Sequence, residues 1–483
     1  MSFDKAQLVR AVGWTSLSKI IGQVATFATT LFLVRLLDKD DFGLFAMAVL
    51  YTWVIDNITD FGFQSAIVQR KDLDEDSLSS CFWLLSGVAL AIVVLIQFIA
   101  PWIAGIFSEE RLVNIVRQIS WIFLIIPLTV VSSGVLSRRL RLDVIAKVEL
   151  GASLLRCATS VTLALAGMGV LSLVYGYLVE RFLLGLALTY AARWKLRPRF
   201  VYQSVKPLLS FGLKIMAGRL LWLAYNKMDT FIVGRFLGAE TLGVYSVASQ
   251  IAMAFSEFIS AAYYRVIFPL LSRSQDSIRF NEILSTSSVY LSILALPVMV
   301  GIAAVAPDIV LVFLGEKWQE AIPILQVLSI VAAILTLSGL LPQAMNAIGR
   351  ADISIWINLV SLIVFGIGFY IGVRWQGLNG VLITWLILVP LRYVANVWST
   401  CLLLRLSVID FLRAHLGSFI ATLMMLFLVM ILAGAISHWP PAPRLFLSMA
   451  IGALAYTALS FLVMRQSCME LLAILKMPKR DAA

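Results

Sequence analysis

Charge is what this chain has least of: 13% of its 483 residues are Asp, Glu, Lys or Arg, while 61% are hydrophobic. Soluble domains carry roughly a quarter charged residues, so a soluble fold is excluded and a bilayer is the expected solvent. Period-two alternation is also missing, which excludes a membrane barrel. Four cysteines (Cys81, Cys157, Cys401, Cys468) have no CxxC spacing and sit in or beside apolar runs, where they read as small core hydrophobes. Two histidines, His415 and His438, stand at the ends of apolar runs and read as interfacial. There is no HExxH, no P-loop and no Cys/His cluster, so no metal or cofactor is expected beyond a coupling ion, and no ATP-driven pump. No polar loop is long enough to hold an outer domain; the longest outer ones span 307–320 and 437–444. A membrane enzyme acting outside the bilayer has little room. Met1 to Arg10 is short and polar, and the apolar run behind it is too long for a signal-peptide core, so it reads as a first span.

What the chain does have is apolar runs of helical length. Lipid offers backbone N–H and C=O groups no partner, so such runs must be helices. Fourteen spans are expected, at 12–36, 42–62, 78–102, 114–135, 146–167, 170–192, 209–234, 241–268, 285–307, 321–347, 353–373, 377–403, 415–437 and 445–465. Alternate loops then place roughly 22 Lys and Arg on the side of both termini and roughly 7 on the other, which sets both ends in the cytoplasm. The net charge of +11 is therefore topological and implies no nucleic acid. Basic clusters follow span four (Arg138, Arg139, Arg141, Lys147) and span six (Arg193, Lys195, Arg197, Arg199, Lys206). The segments 137–150 and 469–479 look amphipathic and suited to anionic headgroups. The expected organisation is an N-lobe at 1–195, a basic linker at 196–208, a C-lobe at 209–405, two further spans at 406–465 and a cytoplasmic tail at 466–483.

The chain also repeats itself. Residues 11–48 are echoed without a gap 200 positions later, laying Lys19 on Arg219, Thr30 on Thr230, Arg35 on Arg235, Leu37 on Leu237, Gly43 on Gly243, Phe45 on Tyr245 and Ala48 on Ala248. Parallel internal repeats are a transporter architecture, with the substrate path expected between copies.

An ionisable group in hydrocarbon costs about 2.5–3.5 kcal/mol on insertion scales, so each one asks for a cavity, a partner or a function. Lys19 shares a helical face with Thr15, Ser16, Gly22, Gln23, Thr26 and Thr30, and Arg219 shares one with Asn226 and Thr230. Lys227 and Asp229 flank that second stripe. Either these cations line a cavity or they are members of internal ion pairs; the cavity is the preferred expectation. Arg156, Arg181 and Arg392 are further cavity candidates, with Arg156 positioned to meet Glu180 from a stripe that includes Glu149, Ser153 and Ser160. Carboxylates within spans, Asp56, Asp60, Glu180, Asp229 and Glu257, are candidates for coupling to H⁺ or Na⁺. Lys214, Arg35 and Arg235 sit nearer span ends and read as snorkelling anchors. Pro127, Pro297, Pro342 and Pro390 permit helix bends, and Gly368 and Gly372 read as a close helix contact.

The stretches VRLLDKDDFGLFAMA, from Val34, and ITDFGFQSAIVQRKDLDEDSLSSCFW, ending at Trp83, resemble the polysaccharide transporter branch of the multidrug/oligosaccharidyl-lipid/polysaccharide flippase superfamily, particularly its colanic-acid-exporter-like Wzx relatives. The segments 41–48 and 60–73 carry the resemblance; they are family marks, not known catalytic groups. The resemblance implies an all-α integral membrane protein with two pseudo-symmetric six-helix lobes around a cavity, plus two C-terminal helices. It implies a flippase that moves a polyprenyl-pyrophosphate-linked oligosaccharide from the cytoplasmic to the outer leaflet of the inner membrane by alternating access, with Lys19 and Arg219 suited to the anionic head. A polysaccharide polymerase and copolymerase are the partners it suggests. An ion-coupled drug or metabolite antiporter of the same superfamily and a membrane glycan polymerase or ligase are the alternatives. The cationic bias of the candidates disfavours the first, and the short outer loops disfavour the second.

Overall fold

A computed structural model describes residues 5–70, 74–274 and 277–476, and every regular element among them is helical. The described chain forms two compact units, 1–243 and 244–483. The first contains α1 (Lys5–Leu36), α2 (Lys39–Asp60), a short α3 (Phe63–Gln69), α4 (Glu75–Phe107), α5 (Leu112–Ile119), α6 (Ile126–Arg138), α7 (Leu142–Leu165), α8 (Val170–Ala192) and the first part of α9 (Tyr202–Arg273). The second contains the rest of α9, then α10 (Ser277–Ala304), α11 (Ala306–Ile309), α12 (Ala321–Ser338), α13 (Leu340–Ala347), α14 (Ala351–Leu404), α15 (Val408–Arg413), α16 (Leu416–Ala435), α17 (Pro441–Val463) and α18 (Arg465–Lys476). The basic stretch 196–208 falls inside the first unit.

Twelve helical stretches among the described residues are long and apolar enough to cross a membrane. Two of them, α9 with 72 residues and α14 with 54, far exceed the roughly 20 residues that one crossing takes. Each is broken where the backbone leaves helical geometry, at Gly238 (φ 83°) in α9 and at Gln376 and Gly377 (φ 55°) in α14. Each break falls between two expected spans, which is consistent with fourteen crossings. Pro297 and Pro390 lie inside α10 and α14, and α4 contains a further helix-interior proline, Pro101.

The motif residues turn out to be joints. Asp38 and Asp41 form the capping box of α2, and Asp41 Oδ1 also accepts the Val170 N–H at 3.0 Å, pinning the start of α8. Asp60 ends α2, after which Phe61 (φ 45°) and Gly62 (φ 68°) turn the chain into α3, with Phe63 and Ile67 fully buried. Asp74 caps α4 by accepting the Ser77 N–H at 2.9 Å, and bonds from Ser77 hold its carboxyl below the usual carboxylate range. The following DSLSSCFW residues seat the chain after α8. Glu75 accepts the Lys195 N–H at 2.8 Å, Ser79 and Ser80 accept those of Arg197 and Val201 at 2.9 Å, and Asp76 pairs with the Arg197 guanidinium at 2.8 Å.

The segment 137–150, read as amphipathic, is not one continuous helix: 137–138 end α6, a corner at 139–141 follows, and 142–150 begin α7. Leu140 takes φ 56°, while the Arg138 and Arg139 guanidiniums donate to the carbonyls of Arg70 and Ala192. Two basic side chains satisfying neighbouring carbonyls favour the turn over continued helix. The other amphipathic reading, 469–479, begins within α18, and 477–479 lie outside the described residues.

Duplication is visible in the packing. A Cβ on Gly43 would overlap the Ala239 carbonyl, and one on Gly243 would overlap the Lys39 carbonyl and approach the Gly43 nitrogen to 3.1 Å. Residues 39 and 43 thus meet 243 and 239, their own equivalents 200 positions on, in a reciprocal contact of the kind a two-fold axis produces. Lys39 adds an ion pair to Glu240 at 3.4 Å. In the second unit, Gly368 and Gly372 let the two arms of α14 approach, and Thr384 donates to the Gly368 carbonyl at 3.1 Å. A cluster including Leu271, Leu284, Leu291, Leu340 and Val397 forms a core there.

The carbonyls facing Gly43 and Gly243 belong to backbone and have no rotamer to yield. Gly43→Ala is expected to destabilise the folded protein by about 1–3 kcal/mol through overpacking. Thermal unfolding in detergent reads this, and an unchanged transition would show that the contact is loose.

Candidate functional site

Helices α1 and α7 lie side by side, with Gly22 facing Leu150 and Ser153, and Thr26 and Ser153 share a hydrogen bond of 3.3 Å. With α2 and α8 they enclose a pocket of about 450 Å³ lined by Ser18, Lys19, Gln23, Trp53, Glu149, Arg156, Tyr177, Glu180 and Arg181, among others. A second pocket of about 220 Å³ is lined by Asp56, Asn57, Asp60, Gln64, Thr129, Arg181 and Arg219 with apolar neighbours. Arg181 belongs to both walls, so the pockets adjoin. All of this lies in the first unit.

The charges along this tract balance: Lys19, Arg156, Arg181 and Arg219 against Glu149, Glu180, Asp56 and Asp60, four of each sign. Three arginines are committed. Arg156 Nη1 meets Glu180 Oε2 at 3.0 Å, as the stripe on span five suggested. Arg181 donates to the Tyr177 hydroxyl at 2.8 Å, approaches Asp56 at 3.9 Å and has its guanidinium carbon 5.0 Å from the Tyr177 ring centre. Arg219 bonds Asp60 at 2.6 Å and the Ser65 hydroxyl at 3.1 Å. Lys19 and Glu149 are exposed to the pocket, and neither has a salt-bridge partner within 4.0 Å among the described residues.

Of the expected site residues, the fold therefore gathers Lys19, Arg156, Arg181, Arg219, Asp56, Asp60 and Glu180 into one tract. Lys227 stands over the Trp53 ring, 4.0 Å from its centre, which brings it to the same wall. Asp229 is buried in α9, where it accepts from Thr230 at 3.3 Å. Glu257 and Arg392 belong to the second unit; Glu257 is exposed, and Arg392 donates to Asn358 at 3.0 Å across the arms of α14. Arg235 donates to Ser108 at 3.0 Å. The side chains of Thr15, Ser16 and Lys214 lie outside the described residues.

Several lining residues escaped the sequence reading, among them Trp53, Tyr177 and Ser18 in the larger pocket and Asn57, Gln64 and Thr129 in the smaller. Tyr177 lies one helical turn before Arg181, a spacing that would have flagged it. Ser18 lies about 100° around α1 from Lys19, so a single helical stripe excludes it, whereas the pocket covers a wider arc of that helix. His415 also needs correction. It is buried, bonded to Ser288 at 3.0 Å and to the Phe411 carbonyl at 2.8 Å, because the short α15 folds back over it.

A family profile described as "polysaccharide biosynthesis protein" matches residues 32–323. The chain is 27% identical over 463 residues to the teichuronic acid biosynthesis protein TuaB of Bacillus subtilis, covering 93% of this chain and 94% of that one. It is 27% identical over 490 residues to the succinoglycan biosynthesis transport protein ExoT of Rhizobium meliloti, at 99% and 97% coverage. It is 25% identical to the lipopolysaccharide biosynthesis protein WzxC of Escherichia coli, over 79% of this chain and 78% of that one. Among solved structures, the lipid II flippase MurJ in an inward closed conformation superposes with a TM-score of 0.75 at 16% identity, over 95% of this chain and 99% of that one. An inward-facing MATE family multidrug transporter superposes with a TM-score of 0.64 at 16% identity, over 82% and 98%. These two likenesses establish the fold.

The Asp60 side chain is 12% exposed and that of Arg219 is 37% exposed, so removing the cation strands a mostly buried carboxylate. Arg219→Ala is expected to cost about 2–3 kcal/mol, below the ~3–5 of a fully buried pair because Arg219 is partly hydrated. Adding Asp60→Asn should recover most of the loss in thermal unfolding. Equal stability of Arg219→Ala and wild type would show that the pair neutralises nothing.

Proposed function

Because the chain belongs to the polysaccharide biosynthesis protein family, we propose that it carries a polyprenyl-pyrophosphate-linked oligosaccharide repeat unit from the cytoplasmic to the outer leaflet of the inner membrane, for exopolysaccharide, capsule or O-antigen synthesis. The observation that carries this reading is a polar pocket with an unpaired ammonium, Lys19, opening inside helices that are otherwise apolar. Relatives named for teichuronic acid, succinoglycan and lipopolysaccharide synthesis support the substrate class, and the first two match nearly end to end. A flippase makes and breaks no covalent bond, so the chain acts as a transporter and not as an enzyme. Its partners are the lipid-linked glycan, membrane lipids, and a polymerase and copolymerase that consume the flipped unit.

Both termini lie in the cytoplasm, a placement that the excess of Lys and Arg in the loops on their side supports. The residues on the pocket wall then sit in the half of the bilayer where the substrate is made. Lys19 supplies donors to the oxygen-rich part of the substrate. Lys227 and Arg219 stand nearby, the latter held by Asp60 as a preformed charge that needs no reorganisation. Transport proceeds by alternating access and draws on an H⁺ or Na⁺ gradient or on the downstream removal of product. Glu257, exposed on its helix, is the leading coupling group, with Asp56, Asp60, Glu180 and Asp229 as the other candidates.

Loss of the chain should strand lipid-linked repeat units on the cytoplasmic leaflet, and Lys19→Ala should lower polymer export about tenfold while the protein still inserts, the scale of one lost charge-assisted hydrogen bond. Normal export by Lys19→Ala would remove Lys19 from the substrate path. Glu257→Gln should weaken the dependence of transport on the proton gradient. An unchanged pH profile in that variant would make Glu257 structural.

A further inference from the structure

Within the larger pocket, Lys19 and three further polar groups make no direct hydrogen bond or ion pair among the described residues, with Lys19 and Glu149 acting on each other across the pocket. Ser18 is 3% exposed, lines the pocket, and its hydroxyl has no hydrogen-bond partner. Leaving such a group unsatisfied costs roughly 1–3 kcal/mol, which a ligand hydroxyl would relieve. Glu149 and Gln23 line the same wall exposed, and no residue among those described bonds either. Leu150 and Leu184 supply apolar surface, and Trp53 and Tyr177 add the ring edges and faces left by Lys227 over the one and Arg156 and Arg181 at the other.

The kind of ligand follows from donor and acceptor types. A pyrophosphate or other polyanion offers only acceptors and needs donors; a bare carboxylate in the wall repels it. Here the unengaged set contains an acceptor, Glu149, a donor, Lys19, and two groups that do both, Ser18 and Gln23. The arginines that would hold a polyanion are committed to Glu180, Asp56 and Asp60. Mixed donors and acceptors beside aromatic rings match a ring bearing several hydroxyls, and about 450 Å³ lies in the range of small-molecule sites.

We infer that this pocket reads a hydroxyl-rich pyranose ring of the transported glycan, with the Glu149 carboxylate accepting from the sugar hydroxyls and Ser18, Lys19 and Gln23 completing the set, while the pyrophosphate lies elsewhere. The inference rests on the flippase reading and adds a specificity determinant, Glu149, to it. Its position on the exposed face of α7 lets the charge be removed without disturbing the core.

The test uses the full chain in lipid nanodiscs and two probes: the lipid-linked repeat unit extracted from cells lacking this protein, and polyprenyl pyrophosphate bearing no sugar. Wild type should prefer the glycosylated lipid, and Glu149→Gln and Ser18→Ala should each reduce that preference, Glu149→Gln by about tenfold or more, the scale of a hydrogen bond to a charged group. A preference unchanged in Glu149→Gln, or a loss shared equally by both probes, overturns the sugar assignment. If deletion accumulates no such lipid, or wild type does not bind it, the flippase reading fails and the sugar assignment falls with it.

Discussion

An ionised side chain withdrawn from water must find its countercharge inside the protein, and the packing of the first unit follows from that constraint. Removing a partner from a buried pair costs about 3–5 kcal/mol, comparable to a large part of a domain's net stability. Arg156, Arg181 and Arg219 each reach a carboxylate on another helix, so the three pairs also fix which helices are neighbours: α7 with α8, α8 with α2, and α9 with α2. Tyr177 lies close to two of these guanidiniums and its hydroxyl accepts from one of them. What remains after this neutralisation is Lys19 and Glu149, both exposed to the larger pocket, each without a direct ion pair among the described residues and close enough to act on each other across it.

The same constraint explains how much of the tract was legible in the sequence. Mid-span charges are rare enough to be found by inspection, and the Arg156–Glu180 pair followed from helical faces on two helices joined by a short turn. Arg219 with Asp60 did not, because the two lie 159 positions apart and periodicity says nothing about which helices meet. The alignment of Lys19 with Arg219 suggested equal roles. In the fold one is left open to a pocket and the other is clamped, since only Arg219 has an aspartate within reach. Ser18 and Tyr177 were missed for a related reason: a pocket is bounded by several helices and takes a broad arc from each, whereas a stripe analysis keeps one narrow face.

Fold class was legible because it rests on the scarcity of charge and the length of apolar runs, both read from composition. The duplication was legible too, and its packing consequence is specific. Gly43 and Gly243 are equivalent positions, and each admits the carbonyl of the other copy's residue four places earlier, Ala239 and Lys39. A reciprocal contact between equivalent residues satisfies both copies with one solution, so a glycine required once is required twice. Helix ends were harder to read. Segment 137–150 has the apolar spacing of a surface helix, yet carbonyl groups within reach of Arg138 and Arg139 favour a corner.

The resemblance to polysaccharide transporters and the larger pocket rest on different residues, whereas the smaller pocket takes Asp60 and Gln64 from the motif itself. Asp41 and Asp74 cap helices, Gly62 turns a corner, and Asp76 and Ser79 seat the chain after α8. Ser18, Lys19 and Gln23 precede the matched region, which begins at residue 32, and Glu149 lies outside both motif stretches. On the proposed sugar reading, the scaffold announces its family through its joints, while side chains on the open faces of α1 and α7 select the ligand. A change of glycan would then fall first on the groups around the larger pocket that hold no helix pair together, Ser18, Lys19, Gln23 and Glu149, and would leave the neighbouring Arg156–Glu180 and Arg181–Asp56 pairs in place.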